Sequence, residues 1–140
     1  MAGYSGTPLL QKLGIKQDHR VLLRNSPTAL PEELKGLANA RHRTALDLVL
    51  LFAESYASFK SDFEAMTNMV KPDGMIWVAW PKKASGIRTD LSENQIRDHA
   101  LTTAFIDVKV CAINDTWSGL KFVIRKEHRA AFAAQTRSEL

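Results

Sequence analysis

The sequence predicts an α/β fold, a mostly parallel sheet of about five strands finished by an antiparallel hairpin. Three observations predict it. Two almost wholly apolar runs, Leu46–Phe52 and 75–80, read as strands buried on both faces. Between them, Tyr56, Phe59, Phe63, Met66 and Val70 recur at helical spacing, with Lys60, Asp62 and Glu64 off that stripe. Near the end, 106–113 and 117–125 alternate in character around Asn114-Asp115, the pattern of a hairpin. Strands alternating with helices imply parallel pairing through right-handed crossovers.

The elements follow in order. Thr7-Pro8 opens a short helix, with Thr7 as acceptor and Pro8 at the first helical position, and Gly14 closes it. Residues 20–24 form the first strand, ended by Asn25-Ser26-Pro27. Residues 31–35 make a helical turn stopped by Gly36. The stretch 37–43 reads equally as a short edge strand or as a loop. A helix is expected over 55–70, then a turn at Lys71-Pro72-Asp73-Gly74. Ser92 and Gln95 form a capping box that starts a helix to about Leu101. In the hairpin's first strand, Ile106, Val108, Val110 and Ala112 are expected on one face, with Asp107, Lys109, Cys111 and Ile113 on the other.

The 140 residues suit one domain over 1–140, with an N-terminal segment at 1–18 and a tail at 127–140 expected to fray. The 45% hydrophobic and 24% charged fractions are those of a globular chain. Cys111 is the only cysteine, so neither an intrachain disulfide nor a thiol zinc cluster can form. The longest apolar run, 48–53, is far too short to span a membrane, and the first residues lack the basic and apolar regions of a secretory signal. A cytoplasmic location and no membrane partner are expected. The net charge is +4 and the pI near 9.4, but the basic residues are scattered. Duplex nucleic acid is therefore not the expected partner.

The segment Met69-Val70-Lys71-Pro72-Asp73-Gly74-Met75-Ile76-Trp77-Val78 resembles the turn before the fifth strand of class I methyltransferases. The run Leu46–Phe52 resembles their fourth strand, and the hairpin their sixth and seventh. The resemblance implies a Rossmann-like fold over about residues 20–125. It would also imply S-adenosylmethionine, but the residues that hold that cofactor are missing. The turn after the first strand has no glycine and contains Pro27 and Pro31, which fix φ and remove donors. Residues 38–43 offer no carboxylate for ribose hydroxyls. No cofactor is expected.

The chain is also similar to a family of uncharacterised bacterial proteins. The shared strings are Gly3-Tyr4-Ser5-Gly6-Thr7-Pro8-Leu9, Lys12-Leu13-Gly14-Ile15, Trp80-Pro81-Lys82-Lys83-Ala84-Ser85-Gly86, Thr89-Asp90-Leu91, Val108-Lys109-Val110-Cys111-Ala112 and Trp117-Ser118-Gly119-Leu120-Lys121. That family has no established activity, so this resemblance implies no function.

No phosphate-binding glycine loop, nucleophile elbow or zinc-protease motif is present. The four histidines lack ligand spacing, and Cys111 reads as an inert thiol in an apolar strand. No catalytic residue and no metal site are expected. One constellation remains, because ligands of open α/β sheets bind beyond the carboxyl ends of the strands. Strand ends bring Asn25 and Ser26, Glu54 and Ser55, then Lys82, Lys83, Ser85, Gly86 and Arg88; the hairpin turn brings Asp115, Thr116, Trp117 and Ser118. The lysine pair and Arg88 supply positive charge, Ser85-Gly86 a hydroxyl and a permissive backbone, and Trp117 a flat apolar wall. The expected role is non-catalytic binding of a small anionic ligand or an acidic protein segment. A transferase with an atypical S-adenosylmethionine site and a nucleic-acid binder are the alternatives.

Overall fold

The computed structural model describes residues 8–37 and 42–131. In chain order the elements are α1 (Leu9–Leu13), β1 (Val21–Arg24), α2 (Glu32–Lys35), β2 (Leu46–Phe52), α3 (Tyr56–Thr67), β3 (Val70–Pro81), α4 (Glu93–Ala100), β4 (Phe105–Ala112) and β5 (Trp117–Ile124). The five strands form one sheet in the order β1-β2-β3-β5-β4. β1, β2 and β3 are parallel; β5 runs antiparallel to both β3 and β4. β4 therefore points the same way as the first three strands. The fold is Rossmann-like, with the methyltransferase-like mixed sheet that the sequence implies.

β2 is buried along nearly its whole length because both faces of the sheet are covered there. On one face lie α3 and α4. Phe59, Phe63 and Met66 of α3 and Ile96 and Ala100 of α4 pack on Val49, Leu51, Ile76, Val78, Leu120 and Phe122. On the other face Leu9 and Leu13 of α1 and Leu34 of α2 pack on Leu48, Leu50 and Trp77. Trp77 is fully buried, and its indole Nε1–H donates to the Leu13 carbonyl at 2.8 Å. That bond fixes α1 to the sheet and satisfies the only polar atom of a buried indole.

Both longer helices start at serine caps. Ser55 Oγ accepts from the Ser58 N–H at 3.2 Å, and Ser92 Oγ from the Gln95 N–H at 3.3 Å. The Ser92 hydroxyl also donates to Gln95 Oε1 at 3.1 Å, so this side-chain contact replaces the return bond of a full capping box. Gly14 closes α1 with φ 80°. Pro8 sits at the N-cap position rather than the first helical position, and Thr7 lies outside the described residues.

Three expectations need correcting. Helix α3 stops at Thr67, and Val70 already pairs with Leu46. The expected turn at 71–74 is a bulge within β3, because the next pair is Leu48 with Met75. The bulge presses Gly74 against the neighbouring backbone, where a Cβ would lie 2.8 Å from the Leu46 carbonyl oxygen. The second bulge lies in β4: Asp107 pairs with Phe122, but Lys109 pairs with Lys121. One extra residue sends Asp107 and Lys109 to opposite faces, so the expected simple alternation fails. The stretch 37–43, which the sequence leaves open between strand and loop, is described only in part: Leu37, His42 and Arg43 are not in a strand, and residues 38–41 lie outside the described residues. Among the described residues no helix is long and apolar enough to cross a membrane.

Candidate functional site

The carboxyl ends of β1, β2 and β3 share one edge of the sheet, and the β4–β5 turn reaches the same edge because β4 is co-directional with them. The Lys82 N–H donates to the Thr116 carbonyl at 2.8 Å, and Pro81 pairs with Trp117. The loop after β3 and the hairpin turn are thus joined by backbone. Asn114 sets that turn: its Oδ1 accepts from the N–H groups of Thr116 and Trp117 at 2.9 and 2.8 Å.

A cavity of about 430 Å³ opens at this edge. Its first wall is the turn after β1, residues Asn25, Ser26, Pro27 and Thr28. Its second is the β2–α3 junction, with Phe52, Ala53, Glu54 and Ser58. Ile87 and Trp117 close it from the β3 loop and the hairpin. Trp117 stands edge-on to Phe52, with ring centroids 5.1 Å apart and planes at 86°. It is only 4% exposed, so it offers the cavity an edge rather than a broad flat face.

The first wall is held by α3. Asn25 takes φ 58°, a left-handed conformation that asparagine tolerates better than other non-glycine residues. Its Nδ2 donates to Asp62 Oδ2 at 2.8 Å, and the Arg24 guanidinium lies 3.4 Å from Asp62 Oδ1. Arg24 Nε is buried without a hydrogen-bond partner among the described residues. The second wall is strapped by the loop before α4. Thr89 Oγ1 donates to the Glu54 carbonyl at 2.6 Å, and Asp90 Oδ1 accepts from the Tyr56 N–H at 2.8 Å.

Of the residues picked from the sequence, Asn25, Ser26, Glu54 and Trp117 line the cavity. Lys82 and Ser118 flank the joined strands beside it. Lys83, Gly86 and Arg88 are exposed on the loop, which reaches the cavity through Ile87. The Ser85 hydroxyl is used by the loop itself: it donates to the Lys82 carbonyl at 2.6 Å and accepts from the Ile87 N–H at 3.2 Å. Gly86, at φ 79°, closes that 3-10 turn. Phe52, Ala53, Ser58 and Ile87 are cavity residues that strand-end reasoning missed. Ile87 had a readable signal, as a lone apolar residue in a polar loop.

The remaining titratable groups lie elsewhere. His99 stacks edge-on against Phe59 and Phe63 between α3 and α4, where burial pushes its pKa below 6.5. Cys111 is half-buried on the edge strand, and burial pushes its thiol up, away from reactive thiolate. Among the described residues no group of three His, Cys, Asp or Glu is placed to hold a metal ion.

The cavity residues do not fit an adenosyl cofactor. The β1 turn has one left-handed residue, but its side-chain amide is committed to Asp62, and Pro27 removes a backbone donor from the same wall. Among the described strands β1 is the edge of the sheet.

No protein-family profile matches the chain, and no curated protein is similar in sequence. Solved structures are similar in fold. The fibrillarin pre-rRNA processing protein of Methanococcus jannaschii superposes with a TM-score of 0.52 at 8% identity, covering 78% of this chain and 67% of that one. TrmN from Thermus thermophilus superposes with a TM-score of 0.53 at 14% identity, covering 84% of this chain and 47% of that one. The chain therefore spans about two thirds of the first and under half of the second. At these identities the likeness shows the fold alone.

Proposed function

We propose that this chain is a non-catalytic binding domain on a reduced methyltransferase-like scaffold, and that its ligand enters the cavity beside Asn25 and Trp117. The cavity itself carries the reading. It combines polar residues (Asn25, Ser26, Thr28 and Ser58), one acidic residue (Glu54) and an apolar floor (Phe52, Ile87 and Trp117). Binding sites for small molecules have this composition, apolar walls with a few convergent polar groups. The loop bearing Lys82, Lys83, Ser85, Gly86 and Arg88 borders the cavity at Ile87, and Ser118 follows Trp117. The ligand in this reading has an apolar body for the floor and an anionic group for the loop, presented either by a small molecule or by an acidic protein segment. The resemblance to the uncharacterised bacterial family and a cytoplasmic location belong to the same reading.

Thermal shift and calorimetry test it with aryl carboxylates and aryl phosphates as probes, beside S-adenosylmethionine and S-adenosylhomocysteine. The expected outcome is stabilisation by the aryl anions and none by the adenosyl compounds. The fold likeness favours one second reading, a transferase with an atypical S-adenosylmethionine pose. Micromolar binding of that cofactor would replace the first reading with the second.

A further inference from the structure

The two faces of the sheet are covered unequally. α3 and α4 lie on one face; the other carries only α1 and α2, of 5 and 4 residues, packed mainly over β1, β2 and Trp77. At the cavity end of β5 and β4 this face is covered: Trp117 and Ile113 are buried, and Lys12 of α1 donates its Nζ to the Ala112 carbonyl at 3.2 Å. Toward the start of β4 and the end of β5, at Ile106, Lys109, Lys121 and Val123, the face is half-buried or exposed. Two lateral rows cross it. Met75, Val123 and Ile106 pair side by side, the first two half-buried and Ile106 37% exposed. Trp77, Lys121 and Lys109 pair in the next row.

The second row is cationic and lacks a counter-charge on its strands. β5 contains no acidic residue, and the one carboxylate of β4, Asp107, lies on the opposite face, 2.9 Å from Arg97 Nε of α4. Lys109 Nζ donates to a backbone carbonyl, that of Lys12, at 3.1 Å. Partial burial and then the neighbouring Lys109 charge lower the Lys121 pKa, so the ammonium is held in an unfavourable place. An apolar row beside paired cations is complementary to a helix with a hydrophobic stripe and flanking carboxylates. A second copy of this chain would bring both copies' lysine pairs into one interface, because an isologous contact repeats the same patch, and neither β5 nor this face of β4 supplies a carboxylate to neutralise them. Nucleic acid would leave the apolar row uncovered.

We propose that the open part of this face, at the start of β4 and the end of β5, docks an acidic amphipathic helix of a partner protein, its apolar stripe on Met75, Val123 and Ile106 and its carboxylates on Lys121 and Lys109. This surface lies on a face of the sheet, apart from the cavity edge, and stands or falls independently of the cavity reading.

The test uses the full chain and two synthetic helices, one with a leucine stripe flanked by glutamates and one with lysines in place of the glutamates. Fluorescence anisotropy is expected to show the acidic helix binding the wild type and not the basic one. Lys109→Glu/Lys121→Glu is expected to weaken the acidic helix at least tenfold and to let the basic helix bind. Circular dichroism checks that this variant folds; Lys121→Met, which keeps an apolar stem, serves as a milder second variant with a several-fold loss. Amide shifts in NMR are expected to cluster at Ile106, Lys121 and Val123. Equal affinity of the acidic helix for wild type and both variants would overturn the proposal. So would shifts clustered at Lys82–Arg88, competition by an oligonucleotide for the same residues, or self-association of the free chain through them.

Discussion

The two faces of the sheet are covered by different means and to different extents. One is covered by α3 and α4, whose Phe59, Phe63, Met66, Ile96 and Ala100 are all fully buried. The other is covered by α1 and α2, through Leu9, Leu13 and Leu34, and by the hydrogen bond from Trp77 to Leu13. Long helices bring a continuous apolar stripe, so that face is a packed aromatic cluster, with Phe63 5.5 to 5.7 Å from Phe59, Phe105 and Phe122. Short helices bring single anchors, so the second face is sealed at points and left open toward the start of β4. The difference teaches that buried strands tell how much covering they need but not what kind of element supplies it.

The largest expected effect sharpens that contrast. Phe63→Ala removes the hub of the aromatic cluster and is expected to cost about 3–5 kcal/mol. Leu34→Ala removes one anchor on the other face and is expected to cost about 2–3 kcal/mol, because α2 can settle onto the gap. Urea unfolding of both variants measures the difference. Equal losses would mean that the short helices hold the fold as firmly as the long ones.

Gly74→Ala comes next. Its Cβ would meet backbone, the Leu46 carbonyl at 2.8 Å and the Lys71 carbonyl at 3.1 Å, so neither neighbour can swing aside. The expected loss is about 1–3 kcal/mol, read by thermal unfolding. This glycine also marks where sequence reading stopped. Lys71-Pro72-Asp73-Gly74 has turn chemistry, but it forms a register shift inside a strand that resumes pairing at Met75. Local residue preference cannot separate a turn from a bulge, since both need the same residues. What decides is the partner strand, and Leu46–Phe52 is distant in sequence. The same limit applies at Val108, where one unpaired residue reversed the faces beyond it. Parallel pairing of β2 with β3, the α3 stripe, the Ser92 cap and the hairpin were legible because each is a local or periodic signal. At the site, strand-end topology brought Asn25 and Trp117 to one edge. It could not foresee that Ser85 folds its own loop or that Ile87, not the lysines, lines the cavity.

A smaller effect tests the link between β1 and β2. Asp47 accepts from the Arg20 N–H at 2.8 Å and pairs with Lys71 at 3.0 Å. Burial pushes its carboxyl up, but the Arg20 bond and the Lys71 ammonium outweigh this and hold it below 3.8. A folded-state pKa below the unfolded one stabilises the fold at pH values above the unfolded pKa. That contribution is lost as pH falls through the folded pKa. Asp47→Asn is therefore expected to be less stable than wild type by about 1–2 kcal/mol at pH 7, with the gap narrowing below pH of about 4. A gap unchanged down to pH of about 2 would show that the charge contributes nothing.

The smallest expected effect on folding belongs to Lys82→Ala/Lys83→Ala, and it is the sharpest test of the cavity edge. Lys82 holds the hairpin turn through its main-chain N–H, which alanine keeps. Lys83 is exposed, and Ser85 bonds the Lys82 carbonyl rather than its ammonium. Nothing that folds the loop uses either side-chain charge, so the double variant is expected to unfold within about 0.5 kcal/mol of wild type. Its effect should instead appear on an aryl phosphate probe. Each charged hydrogen bond is worth roughly 1.5–3 kcal/mol, so losing one or both weakens binding by about tenfold or more. The apolar floor of Phe52, Ile87 and Trp117 is untouched, so an uncharged aryl analogue should bind both proteins alike. If the phosphate probe also binds both alike, the anionic group does not meet this loop, and the cavity reads apolar ligands without help from the lysines.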